Sequence, residues 1–258
     1  MSNGALRLLA GAGAKDDPVY VDDVFSCFLY AGGLSNPKVI QSGIDLSGEG
    51  GLVWTKNRTS ATSNQLTDTV SGYRAESDDS AAGEASQGNV IFNSDGHSYS
   101  GYGNFFNAGS EDYVAWTFRK QEGFFDVVTY TGDGASNRNI SHGLGSTPGC
   151  ILIKNLSLST AWVVYHRSLG GPTYFLELNS NGSRQTDADQ FSSTAPTSAV
   201  FTVGPNSGVN RSGDSYVAYL FAHDAQDFGE NSNEAIIKCG SYTSNGSSTG
   251  PVIDLGFE

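Results

Sequence analysis

Residues 112–130 read "DYVAWTFRKQEGFFDVVTY", and residues 215–221 repeat its opening as "SYVAYLF". Residues 235–243, "AIIKCGSYT", repeat its close. The run Tyr113–Phe118 is apolar on both alternating faces, which is how a central or closing strand of a two-layer β domain reads. Its copy at Tyr216–Phe221 would close a second such unit. The polar stretches Arg119–Gly123 and His223–Asn233 would then be the joints between units.

Working outward, three longer segments align. They are Val24–Arg58 ("VFSCFLYAGGLSNPKVIQSGIDLSGEGGLVWTKNR"), Phe124–Ser157 ("FFDVVTYTGDGASNRNISHGLGSTPGCILIKNLS") and Ile236–Glu258 ("IIKCGSYTSNGSSTGPVIDLGFE"). Tyr30, Tyr130 and Tyr242 correspond, as do Lys56 and Lys154. The second halves align as "NVIFNSDG" from Asn89 with "SAVFTVGP" from Ser198, and as Asn107–Phe118 with Asn210–Phe221. A period of about a hundred residues is domain-sized, so the pattern predicts a tandem array of small β domains and not a solenoid. "TGDG" at 131–134 and "SNG" at 244–246 have hairpin chemistry, because Asn, Asp and Gly tolerate positive φ.

Composition agrees. Charged residues are 16% of the chain, Gly numbers 33 and Met occurs once, so strong helix formers are depleted. Val, Thr, Tyr and Phe favour strands. Aromatics at 11% supply core area. Each buried ring contributes at most about 4–6 kcal/mol. The expected fold is all-β: tandem, jelly-roll-like β-sandwich domains with short polar joints. The expected organisation is an arm at 1–22, repeat 1 at 23–121, repeat 2 at 122–232, and the opening of a third at 233–258. The first strand is expected near Val19–Tyr20. The third segment stops at "DLGFE", where repeat 2 runs on into a strand, so the natural chain is expected to continue or to be completed by another chain's strand.

A net charge of −13 with no Lys/Arg cluster argues against nucleic acid as a ligand. No stretch is long and apolar enough to span a bilayer. Cys27 and Cys239 each stand three residues before a matched tyrosine, where repeat 2 has Val127. A position that accepts Cys or Val is a small apolar strand site, not a disulfide partner or metal ligand.

Catalytic signatures are sparse. His166 corresponds to Asp68 and His142 to Ser42, so the histidines drift between copies. No H-E-x-x-H or C-x-x-C spacing occurs, and no metal or cofactor is expected. "GSSTG" (246–250) has the nucleophile-elbow form but sits in a β-hairpin turn, not a strand–turn–helix. The acidic pairs Asp78–Asp79, Glu111–Asp112 and Asp187–Asp189 read as solvated loop charges, though a glycan hydrolase would use two facing carboxylates. The loop "SYSGYGNFFNAG" carries Tyr99, Tyr102, Phe105 and Phe106, which either stack on sugar rings or seal a subunit contact, or else tuck under their own domain.

"VYVDDVFSCFLYAGG", "SGIDLSGEGGLVWTKNR", "YVAWTFRKQEGFFDVVTYTG", "VVYHRSLG", "APTSAVFTVG" and "YVAYLFAHD" resemble the tandem domains of tailed-bacteriophage virion proteins of the marine type. The resemblance covers nearly the whole chain after Pro18. It implies a non-enzymatic virion part, either a tail fibre or a fibre-like appendage for host attachment. The N-terminal arm (Leu6, Leu8, Leu9, Val19 and Tyr20) would anchor to the particle. The implied partners are other copies of the chain, trimeric by analogy, other tail or capsid proteins, and host surface polysaccharide. The alternatives are a capsid decoration or head fibre, and a carbohydrate-binding or depolymerising tailspike.

Overall fold

The computed structural model describes residues 18–33, 35–85, 90–101 and 103–256. Leu6, Leu8, Leu9 and Tyr102 lie outside them. The fold is all-β, with antiparallel sheets and two four-residue α-helices, α1 (Val21–Val24) and α2 (Ala188–Phe191). Among the described residues no helix is long and apolar enough to cross a membrane.

Repeat 1 supplies β1 (Phe25–Ala31), β2 (Lys38–Gln41), β3 (Gly51–Asn57), β4 (Gln65–Asp68), β5 (Tyr73–Glu76), β6 (Glu84–Ala85), β7 (Val90–Asn93), β8 (Gly96–Tyr99) and β9 (Asp112–Arg119). They form a six-stranded sheet of order β1-β9-β3-β4-β5-β6 and a three-stranded sheet, β2-β8-β7. Repeat 2 supplies β10 (Phe125–Thr131), β11 (Arg138–Ser141), β12 (Pro148–Asn155), β13 (Val163–His166), β14 (Tyr174–Glu177), β15 (Gln185–Thr186), β16 (Val200–Val203) and β17 (Ser215–Ala222). Its large sheet has the same order, β10-β17-β12-β13-β14-β15, beside a two-stranded sheet, β11-β16. Each quoted run thus sits second from the edge of its sheet, hydrogen-bonded on both sides.

The two-sided apolar pattern has a physical cause that differs from the expected one. Within each repeat, one face of the large sheet covers a core shared with the small sheet. Tyr30, Ile40, Val53, Tyr99, Tyr113 and Ala115 make the first such core, and Ile140, Ile151, Ile153, Phe201, Tyr216 and Ala218 the second. The opposite faces of the two large sheets meet each other. Leu52, Leu66 and Ala75 of repeat 1 share one buried cluster with Phe125, Val127, Leu152, Trp162, Val217 and Tyr219 of repeat 2. Phe118 packs edge-on to Phe221, with ring centroids 5.4 Å apart. The repeats are therefore not separate bodies on polar hinges, as the charge of 119–123 suggested. They are fused through a third core.

Polar bonds cross that core. The Tyr219 hydroxyl donates to Asp68 Oδ2 at 2.8 Å, and Trp162 Nε1 donates to the Glu76 carbonyl at 2.8 Å. Lys154 is fully buried. Its ammonium donates to the carbonyls of Ser80 (2.9 Å) and Thr160, so a repeat 2 lysine holds a repeat 1 loop.

Three local expectations change. Residues 18–20 are not a strand: the Tyr20 amide donates to Asp23 Oδ2 (2.9 Å), turning the chain into α1, and β1 starts at Phe25. The second-half alignment shifts too. β8 pairs with β2 through Ile40–His97, and β16 pairs with β11 through Ile140–Phe201. Residues 96–99, not 89–93, are therefore the counterpart of 200–203, and β7 is an addition peculiar to repeat 1. Finally, residues 237–256 form no strand.

The inter-repeat bond is testable. Tyr219→Phe keeps the ring but leaves Asp68 Oδ2 with only the Ser71 hydroxyl as donor. It should cost about 2 kcal/mol, read as a lowered urea midpoint with unchanged slope. A steeper or shallower slope would mean that the repeats unfold separately.

Candidate functional site

Comparing the repeats position by position separates groups that build the unit from groups that only one copy holds. The shared groups are architectural. The Tyr30 hydroxyl donates to Phe106 O (2.9 Å), as Tyr130 does to Val209 O (2.7 Å). Tyr113 donates to Asn104 O and Tyr216 to Ser207 O. The Tyr30–Tyr113 and Tyr130–Tyr216 rings stack, each pair with centroids 5.1 Å apart. Asn107 Oδ1 accepts from the Gly33 amide and Asn210 Oδ1 from the Asp133 amide, both at 3.0 Å. The Asn of each Lys-Asn pair, Asn57 or Asn155, accepts two amides of the following turn. Gly32 and Gly132 are required for the same reason: a Cβ on either would lie 2.0 Å from a backbone oxygen, that of Ala108 or Arg211. These groups satisfy the backbone where the first strand, the Lys-Asn strand and the loop before the closing strand meet.

That loop holds the aromatics considered for contact or glycan stacking. Tyr99 is fully buried on β8, and Phe106 is buried and stacks on it at 4.7 Å. Both tuck under their own sheet. Phe105 is half-buried, edge-on to Phe106, with the Arg74 guanidinium over its ring. The described rings therefore present no aromatic platform.

Four of the paired carboxylates accept local hydrogen bonds. Asp78 and Asp79 accept the Asn64 and Ala81 amides, Glu111 accepts the Ser60 hydroxyl, and Asp187 caps α2. Among the described residues no group of three or more His, Cys, Asp or Glu side chains could hold a metal ion. The three cysteines are free thiols. Burial pushes Cys150 up to about 12 and Cys239 up to about 11, so both stay protonated near neutrality.

Two of the places that differ between the copies carry titratable side chains. The first lies in the repeat 1 core. Thr55, His97 and Tyr99 stand there in contact, where repeat 2 has Ile153, Phe201 and Val203. The Tyr99 hydroxyl is 2.5 Å from Thr55 Oγ1 and 3.0 Å from His97 Nε2, and His97 Nδ1 is buried with no partner. Burial lowers His97 to about 3.

The second is the joint at the end of each closing strand. After β9, Lys120 pairs with the buried Asp126 at 3.1 Å, and Asp126 also accepts the Gly143 amide at 2.7 Å. After β17 the corresponding residue is His223, and the charges are exchanged: Lys238, at the position aligned with Asp126, stands 3.9 Å from Asp224. A cleft of about 510 Å³ opens there, lined by Ser146, Pro148, Arg167, Pro196, His223 and Asp227, among others. Asp224, beside His223, holds a left-handed backbone (φ 55°). The Cys239 amide donates to His223 Nδ1 (3.0 Å), and His223 Nε2 is in contact with Arg167 Nη1. The site follows from β13, which ends at His166 and delivers Arg167, and from β17, which delivers His223 beside it. The Lys-Asn alignment already equated His166 with Asp68, and the ladders agree: Asp68 lies opposite Leu52 and His166 opposite Cys150. Sequence reading did not single out Arg167 and His223; the departure of His223 from Lys120 was the available signal.

Of the described arm residues, Val19 accepts the Gly229 amide through its carbonyl (3.0 Å). Tyr20 lines a separate cleft of about 950 Å³ that also includes Asn233, Glu234 and Gly256. The two ends of the described chain therefore lie together.

A profile described as a domain of unknown function (DUF7483) matches residues 21–258. No curated protein and no solved structure matches the chain.

His97 gives a pH test. The folded state holds this imidazole neutral down to about pH 3, while the unfolded chain protonates it near its ordinary 6.5. The unfolded state binds the extra proton, so stability falls as pH drops from about 6.5 toward 3, by at most about 1.4 kcal/mol per pH unit. His97→Phe, the residue repeat 2 uses, should flatten the acid limb of a urea-midpoint profile between pH 6 and 4. An unchanged limb would assign acid sensitivity to other groups.

Proposed function

The chain belongs to the DUF7483 family, and from that premise we propose that it is a structural component of a tailed-phage virion, a tail fibre or fibre-like appendage. The supporting observation is the use made of the repeated groups. The tyrosines and asparagines named above as shared by the two copies are spent on satisfying the unit's own backbone. A module duplicated with that network intact is being repeated as building material. The sequence resemblance to marine-phage virion repeats supplies the biological setting. In this reading the chain assembles with copies of itself and with other virion proteins. The N-terminal arm, including Leu6, Leu8 and Leu9, anchors to the particle, and the distal part faces the host.

Immunogold labelling of intact particles with antibody to this chain tests the reading. Gold along tail appendages is the expected result. Label confined to capsid faces would reassign it to head decoration, and unlabelled particles beside a soluble antigen would remove it from the virion.

A further inference from the structure

We propose that Cys150 and Cys239 are a redox pair: oxidation by a small-molecule disulfide, such as oxidised glutathione, joins their sulfurs and staples the segment after β17 to β12. The staple is independent of where on a particle the chain stands.

Three observations carry it. First, the backbone brings the two residues together. The β12–β17 ladder shifts register between Pro148 and Cys150, so Gly149 is a bulge. Cys239 lies over that bulge: a Cβ on Gly149 would stand 2.7 Å from Cys239 Cβ and 2.8 Å from its Sγ. Consecutive Cα atoms are about 3.8 Å apart, and a disulfide spans about 4.4–6.8 Å between Cα atoms, so contact with Gly149 puts Cys239 in range of its neighbour, Cys150. Second, the side chains share a face. Cys150 stands opposite Phe221 and packs at the margin of the inter-repeat core with Phe221, Ile236 and Ile237. Ile236 and Ile237 lead the chain into Cys239. The bulge also meets His223 Cβ at 2.7 Å, and His223 lies two residues beyond Phe221, on the same side of the strand. The sulfurs sense each other: after burial, the neighbouring Cys239 is the next cause that holds Cys150 as a thiol. Third, Cys239 is already ordered. Its amide donates to His223 Nδ1 (3.0 Å) and its thiol to the Ala222 carbonyl (3.5 Å). Little freedom is left to lose when the bond forms.

The sequence equated Cys239 with Cys27 and Val127 as a small apolar strand site. Residues 237–256 form no strand, so that constraint does not apply to Cys239, whereas Cys27 stands exposed on β1.

The exchange balances. The Arg167 guanidinium partly offsets burial at Cys239, whose value of about 11 is below the 12 or so of Cys150. Cys239 therefore supplies the first thiolate. It gives its proton to solvent, attacks one sulfur of oxidised glutathione and expels one glutathione thiolate. Cys150, deprotonated in turn, attacks the Cys239 sulfur of the mixed disulfide and expels the second. The chain loses two hydrogens and two electrons, and two glutathione thiols carry them. Both thiols stay protonated near neutrality, so the exchange quickens as pH rises. Once closed, the bond fixes Cys239 to β12. Open, the segment is held there by the Ile236 and Ile237 packing and by the His223 and Ala222 hydrogen bonds.

The full chain equilibrated in a glutathione redox buffer at about pH 8.5, then quenched in acid, alkylated in denaturant and mapped by mass spectrometry, tests the pair. Two of the three thiols should escape alkylation, and residues 150 and 239 should appear in one cross-linked peptide. Cys27→Ser should leave that cross-link in place. At a fixed glutathione ratio, the ratio of cross-linked to reduced chain should fall at least about tenfold in urea, because the fold is what holds the sulfurs together. Three alkylated thiols, glutathione adducts on both residues in place of a cross-link, a cross-link only to Cys27, or equal cross-linking with and without urea would each overturn the proposal. None of these results bears on where antibody labels the particle.

Discussion

The two six-stranded sheets are buried on both faces, and the rest of the molecule follows from that constraint. A sheet with one wet face alternates apolar and polar residues; a sheet covered on both cannot. β9 and β17 satisfy this with Tyr113 and Ala115 on one side of the first and Phe118 on the other, and with Tyr216, Ala218 and Leu220 against Val217, Tyr219 and Phe221 in the second. The polar groups that reach the shared core are then obliged to pair within it. Asp68 meets Tyr219, Trp162 meets a backbone carbonyl, and Lys154 meets two. An unpaired group there would face a desolvation cost with no water to relieve it.

This fusion changes what duplication means for the chain. Two independently folding beads could diverge freely. Two repeats sharing a core cannot, because each closes the other. Repeat 1 presents β4, β5 and the loop behind them, and repeat 2 presents β12, β13 and β17. Equivalent positions therefore meet different surroundings. Asp68 is buried against the second repeat, and its equivalent, His166, stands half-buried next to Arg167 and the cleft. The drift of histidines between the copies follows from this inequality of position and needs no shared chemistry.

Most of the architecture was legible in sequence because strands announce themselves by spacing. The Lys-Asn anchor and the paired tyrosines gave the register of the first and Lys-Asn strands in both repeats, and the ladders agree with that register. What escaped was everything decided by a distant partner. Tyr113–Phe118 read as apolar on two faces, but nothing local says that the second face meets another repeat. Tyr99 and Phe106 looked like a loop platform because Gly, Ser and Asn surround them; only the tertiary stack buries them. The β7 hairpin confused the second-half alignment because "VIF" and "AVF" look alike, whereas pairing with β2 or β11 is what defines the position. Arg167 and His223 are separated by 56 residues and meet only because β12 lies between β13 and β17.

The joint at β17 then matters beyond its own cleft. A joint between repeats has two tasks: to neutralise the end of the closing strand and to seat the residue that starts the next one. Repeat 1 does both internally, with Lys120 against Asp126 and with Phe124 buried in the shared core. After repeat 2 Ile236 and Ile237 pack at the core margin, and Lys238 stands beside Asp224. Both joints thus hold a lysine and an aspartate, but in opposite order: the lysine precedes the aspartate after β9 and follows it after β17. Reversing the order keeps the charges balanced while moving each to the other side of the joint, so here too one internal solution replaces another.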